Sequence, residues 1–266
     1  MISVQNLSFS YHNAPILHDV SFTIEEGSVL CILGSNGTGK TTLLRCLLGF
    51  LQPSSGQITI AEKNATVLNA RKRAHLIAYV PQHSDLAFPF SVQEVVLMGR
   101  VSHMALHATY SQHDYDLAQQ SLKTLDIEHL AHKRFSELSG GQQQMVLVAR
   151  ALTQQARILI MDEPTSALDY HNQICILHAI RELANNNYTI CMTSHYPDHA
   201  FLAADQVILM KEGRIAYSGA PRDVLTDNNL SDIYETPVTV AHIQTQDQEI
   251  STCVPLFSCM KTPSNE

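Results

Sequence analysis

The apolar positions of this chain gather into short continuous runs separated by stretches of helical spacing. "SVLCILG" (28–34) ends in a glycine loop, "RILIMDEP" (157–164) in two carboxylates and a proline, and "YTICMTSH" (188–195) in a histidine. A strand covered on both faces has no polar side to show, so these runs predict buried strands of a largely parallel sheet. "GKTTLLRCLLGF" (39–50) continues the first run with helical spacing, and the alternation of such strands and helices predicts an α/β fold. The opening segments "ISVQNLSFSY" and "VSFTIEEG" predict antiparallel strands joined by a turn near His12 and Asn13. Between about 86 and 144 the texture is helical without a convincing strand, which predicts an inserted helical subdomain. Beyond about 226, "TPVTVAHI" and "STCVPLF" alternate and predict a small β appendage with a frayed polar tail.

Open α/β sheets place ligands at the carboxyl ends of their strands, where these three runs deliver their polar residues. Gly34, Ser35, Asn36, Gly37, Thr38, Gly39, Lys40 and Thr41 satisfy the spacing GxxxxGK[ST], with Thr42 next in the helix. Glycines let backbone N–H groups approach phosphates, and the helix amino terminus favours negative charge. Lys40 then reaches the β and γ phosphates while Thr41 offers a hydroxyl to magnesium. A glycine turn of purely structural use does not explain the adjoining Lys-Thr pair.

Asp162 ends its strand where a carboxylate can hold magnesium, directly or through water. Glu163 points to the other side and is placed to orient or deprotonate an attacking water, so hydrolysis rather than nucleotide storage is expected. His195 ends its strand in the same way, suited to the γ phosphate or to supporting Glu163. Gln82, in "YVPQ", follows another strand, where an amide can sense both metal and water. A second phosphate-type device lies in "LSGGQQQMVL" (138–147), where Ser139, Gly140, Gly141 and Gln142 open a helix with Met145, Val148, Ala149 and Leu152 on one face.

Composition narrows the class. At 266 residues the chain holds a substantial core. A net charge of −8 argues against a nucleic-acid partner, and the only tight basic cluster, "RKR" (71–73), is expected to be a solvated helix face. Six cysteines without a CxxC pair fit core thiols in a reducing compartment. His195 and His199 stand four apart but lack HExxH or a third ligand, so no zinc site is expected. Neither a signal peptide nor an apolar stretch long enough to span a bilayer is recognised, so membrane attachment is expected to come through a partner.

Together these residues resemble the nucleotide-binding subunit of ATP-binding cassette (ABC) transporters over roughly 1–225. "GSNGTGKT" resembles its Walker A, "VPQ" its Q-loop, "LSGGQ" its signature, "ILIMDEP" its Walker B, "SALD" (166–169) its D-loop and "TSH" its switch histidine, in the family's order and spacing. The resemblance implies a P-loop (RecA-like) core with an N-terminal antiparallel β subdomain and an inserted α-helical signature subdomain. The expected divisions are 1–85, the β subdomain and first part of the core; 86–144, the helical part; 145–225, the second part of the core; and 226–266, the appendage.

The same resemblance implies ATP and Mg2+ as cofactors, Tyr11 stacked on adenine, and a head-to-tail homodimer in which each signature caps the γ phosphate bound to the other's Walker A. It further implies two integral membrane permease subunits, a periplasmic or extracellular substrate-binding protein, and a peripheral position on the cytoplasmic face of the inner membrane. "FSVQEVVLMGR" (90–100), the stretch from "HDYDL" to the signature, and "TSHYPDHA" resemble the importer branch for iron siderophores, haem, cobalamin and molybdate. Gln143 departs from that pattern, since arginine commonly follows the signature. An ABC ATPase of DNA maintenance or the ribosome is disfavoured by the absence of a heptad insert and of a second cassette. A subunit for a different cargo, or an exporter, remains the other alternative.

Overall fold

The computed structural model describes residues 1–12, 14–82, 88–105, 107–166, 168–245 and 249–256. Asn13, Ala167, Cys259, the expected boundary at 85/86 and the polar tail lie outside the described residues.

The central sheet runs in the order Arg214–Gly219, Gln206–Lys211, Val29–Leu33, Thr189–Ser194, Ile158–Met161, Ile77–Val80. The first pair is antiparallel and the other four are parallel. Every residue of Val29–Leu33 is buried because the strand serves two cores in alternation. Leu30 and Ile32 face one core, shared with the helix Lys40–Leu48 and the N-terminal strands; Val29, Cys31 and Leu33 face the other, shared with most of the remaining helices. This is the physical reason for an uninterrupted apolar run.

The N-terminal strands form a separate antiparallel sheet in the order Ala14–Ile24, Ile2–Tyr11, Ser55–Ile60, Lys63–Asn64. Its second strand starts at Ala14, earlier than "VSFTIEEG" suggests, because the hairpin pairs from Tyr11 with Ala14 onward. Leu17 of that strand is fully buried against the core.

The helices Val92–Leu97 and Gln112–Thr124 pack on the long helix Gly140–Thr153 and share one apolar core with the central sheet. Both shorter helices begin with a reciprocal side-chain cap, Ser91 with Glu94 and Ser111 with Asp114. The buried Arg100 donates to Asp114 at 2.8 Å and to the carbonyl of Thr153 at 3.1 Å. It thereby ties the start of one helix to the end of the other. The division expected between 144 and 145 falls inside the continuous helix Gly140–Thr153, so that boundary is not a structural joint.

Three further expectations are corrected. The "RKR" cluster is a solvated face at Arg71 and Lys72 and half-buried at Arg73: Arg71 donates to the carbonyls of Ser102 and Met104, and Arg73 to those of Ala65 and Leu68. Cys31, Cys46 and Cys191 are core thiols, whereas Cys175 and Cys253 are only half-buried. The segment after 226 opens with a helix, Asp227–Tyr234, before the hairpin Val238–Gln244 and Glu249–Pro255. Among the described residues no helix is long and apolar enough to cross a membrane.

Candidate active site

The loop Gly34–Gly39 joins the buried strand Val29–Leu33 to the helix Lys40–Leu48. Gly34 has φ +152 and lies so close to its neighbours that an added Cβ would sit 2.6 Å from the Met210 carbonyl oxygen. No side chain fits there, so this turn requires glycine. Ser35, Asn36 and Gly37 are exposed at the loop crest, and Thr38 is buried with its hydroxyl on the Ser35 carbonyl at 2.9 Å.

Lys40 is buried and donates to the carbonyls of Gly34 and Ser35 at 2.7 and 3.1 Å. Burial pushes its ammonium down, against the pull of the Glu163 and Asp162 carboxylates. Its Nζ also stands 3.5 Å from His195 Nδ1. A lysine only donates, so His195 Nδ1 accepts there and the ring proton sits on Nε2, which meets Glu163 Oε1 at 2.5 Å. Gln82 Nε2 donates to the other carboxylate oxygen of Glu163 at 2.9 Å. Lys40, His195, Glu163 and Gln82 thus form one network drawn from four separate stretches of chain.

Asp162 and Glu163 both follow the strand Ile158–Met161 and meet different partners, and Glu163 holds φ +47. Such a backbone in a non-glycine residue costs free energy and is kept by its surroundings. The support is Thr193, whose hydroxyl accepts from the Glu163 amide and donates to Asp162 Oδ1, each at 2.9 Å. Thr193 was missed in the sequence, where a threonine inside "YTICMTSH" looks like a strand residue. Its polarity within an apolar run was the available signal. Thr41 Oγ1 lies 3.5 Å from Asp162 Oδ1, an oxygen pair suited to a hard cation. Gln82 turns its amide nitrogen to Glu163, so its carbonyl oxygen is the Gln82 atom that could face a cation.

Ser139 caps the helix Gly140–Thr153 reciprocally with Gln142: the Gln142 amide donates to Ser139 Oγ at 3.3 Å, and the Ser139 amide to Gln142 Oε1 at 3.2 Å. The cap uses Ser139 Oγ as an acceptor and leaves its O–H and the Gln142 NH2 as donors beside the helix amino terminus. Gln143 donates to the carbonyls of Phe135 and Leu138, bracing the loop ahead of the cap. Among the described residues no hydrogen bond or ion pair joins 139–142 to 34–42, so one chain does not unite its two phosphate-type devices through such contacts. Tyr11 ends its strand exposed, edge-on to Phe9 at 4.8 Å, and Thr42 is half-buried in the helix after Thr41. The imidazoles of His195 and His199 have different partners: His199 Nδ1 faces the hydroxyls of Ser194 and Thr165 at 2.9 and 3.2 Å.

A family model described as ABC transporter matches residues 17–166. The chain belongs to the ABC transporter family. A probable iron chelatin transport ATP-binding protein of Helicobacter pylori is 39% identical over 240 residues, covering 90% of this chain and 94% of the other. The molybdate import ATP-binding protein MolC of Haemophilus influenzae is 35% identical over 261 residues, covering 97% and 98%. Among solved structures, a chain of an inward-facing ABC transporter assigned to the metal-chelate type superposes with a TM-score of 0.87 at 35% identity, covering 96% and 97%. A bacterial ABC transporter cassette solved as a dimer gives 0.73 at 27% identity, covering 84% and 99%. The fold is therefore the ABC cassette, an α/β P-loop core with an antiparallel β subdomain, and the activity is that of an ABC ATPase that binds ATP.

Proposed function

We propose that this ABC ATPase powers an importer of a metal chelate, an iron siderophore first, with haem, cobalamin or molybdate as the other cargoes. The functions of its relatives and the metal-chelate assignment of the similar transporter support this reading. Two copies close head to tail, so that Ser139, Gly140, Gly141 and Gln142 of each face the γ phosphate held by Gly34–Thr42 of the other, with Tyr11 on the adenine. The dimer drives two membrane permease subunits from the cytoplasmic face of the inner membrane, and a periplasmic or extracellular binding protein delivers cargo. The inserted helices after Gln82 dock the permease.

The chemistry is carried by a single observation: Glu163 is gripped by Gln82 on one carboxylate oxygen and by His195 on the other, and His195 meets Lys40 on its far side. Glu163 accepts the proton of the attacking water while Lys40 answers charge on the phosphates. His195 holds the carboxylate and registers the γ phosphate. Thr41, Asp162 and the Gln82 carbonyl fit Mg2+ as hard oxygen ligands; when bound, the ion offsets phosphate charge. Closure is tied to hydrolysis because the γ phosphate offers contacts the diphosphate lacks.

Uptake of labelled iron chelates, haem, cobalamin and molybdate by cells carrying or lacking the chain tests the cargo. Loss of iron-chelate uptake alone supports the first choice. Co-purification with DNA or ribosomes in place of membrane proteins overturns the transport reading. Lys40→Ala abolishes hydrolysis, and near-normal turnover in the purified variant refutes the assigned site.

A further inference from the structure

The helix Asp227–Tyr234 and the hairpin behind it reach the loop that carries His195 from two sides. The Tyr234 hydroxyl donates to the His195 carbonyl at 3.3 Å, and the Cys253 amide donates to Asp198 Oδ1 at 2.9 Å. Within the loop, Ser194 Oγ accepts from the Tyr196 amide at 3.0 Å. The residues 194–198 are thus held at their start, at the histidine itself and at their end.

The His195 side chain is 32% exposed, so packing alone does not fix its ring. Its reach to Glu163 depends on where its backbone sits. Tyr234 in turn is fixed to the sheet: Leu230 and Ile233 are buried in the core, and Asp232 pairs with Lys211 of the strand Gln206–Lys211 at 2.7 Å. Burial pushes the Tyr234 phenol up, which keeps it protonated and donating.

We propose that Tyr234 is a positioning residue for ATP hydrolysis, which sets the His195 backbone so that the imidazole meets Glu163, with Asp198 and the C-terminal hairpin as the second hold. This gives the appendage a task at the active site of its own chain. It rests on the role given to His195 under Proposed function.

The test uses the full-length purified ATPase and the variants Tyr234→Phe, Asp198→Ala, Asp198→Asn and His195→Ala. Tyr234→Phe keeps the ring and removes one donor, so kcat falls about three- to ten-fold, the range of one hydrogen bond, with KM for ATP unchanged and the enzyme fully folded at the assay temperature. Asp198→Ala lowers kcat similarly, and Asp198→Asn, which keeps an acceptor oxygen, restores it. In the His195→Ala background Tyr234→Phe costs nothing further on the residual rate, since both act through one group. A Tyr234→Phe enzyme with wild-type kcat overturns the proposal, as does a loss that comes from unfolding at the assay temperature or adds fully to His195→Ala. If His195→Ala itself turns over normally, the reading of His195 fails and this proposal with it; if His195→Ala is impaired while Tyr234→Phe is not, only this proposal fails.

Discussion

Thr193 holds Glu163: its hydroxyl accepts the Glu163 amide at 2.9 Å just beyond the end of the strand Ile158–Met161, where Glu163 holds φ +47. The same hydroxyl donates its proton to Asp162, so one side chain fixes the backbone of Glu163 and one oxygen of the carboxylate beside it. Thr193→Val keeps the shape and removes both bonds. It should lower kcat about ten-fold and destabilise the fold by about 1–3 kcal/mol, the cost of an unmet buried amide. Steady-state ATPase assays and urea unfolding check this; a fully active, fully stable variant contradicts it.

His199 sets a pH dependence of stability. Burial lowers its imidazole to about 4, so it is neutral in the fold, while the unfolded chain protonates near pH 6.5. Stability is complete above the unfolded value and is lost as pH falls toward about 4. By pH 5 the loss from this group is about 2 kcal/mol. His199→Asn, which keeps a polar atom toward Ser194 and Thr165, should flatten that slope between pH 7 and 5. Urea unfolding at both pH values measures it, and a slope equal to the wild type's contradicts the assignment.

Gly140 separates the needs of the fold from those of a neighbour. An added Cβ would meet only Leu168 Cδ2, at 3.6 Å, an ordinary contact. Alanine in the first turn of a helix is about 0.5–1 kcal/mol better than glycine. Gly140→Ala should therefore match or exceed the wild-type melting temperature while ATPase activity falls ten-fold or more. A stable variant with wild-type turnover means that nothing outside the chain approaches this residue.

The buried strands were legible because a strand covered on both faces leaves an unbroken apolar run, and Val29–Leu33 serves both cores. The glycine loop and the two carboxylates were legible for a chemical reason: each needs particular residue types at fixed spacing. Thr193 was not, since its task depends on which strand lies beside Ile158–Met161, and pairing partners are invisible in one sequence. Arg73 was misjudged because its carbonyl partners, Leu47 at the end of the helix Lys40–Leu48 and Ala65 and Leu68 in the turn just before it, are set by the fold and leave no mark in a run of basic residues. The helix Asp227–Tyr234 was hidden by its polar surface; only Leu230 and Ile233 are buried, too few to show a period. The helix Gly140–Thr153 crosses a division drawn by texture, since one continuous helix carries both the cap and the core face.

Ser139→Arg distinguishes the two phosphate devices. It should block turnover while the same chain still binds ATP, read by nucleotide titration of the isolated monomer. Loss of binding there would mean that the cap serves its own chain's nucleotide.

The shared site is tested most directly by Glu163→Gln, which removes the base and leaves the binding residues in place. Light scattering with saturating ATP and magnesium should give twice the 29.5 kDa of the chain, a trapped dimer, and revert on nucleotide removal. A Glu163→Gln protein that binds ATP yet remains a monomer under these conditions contradicts the account.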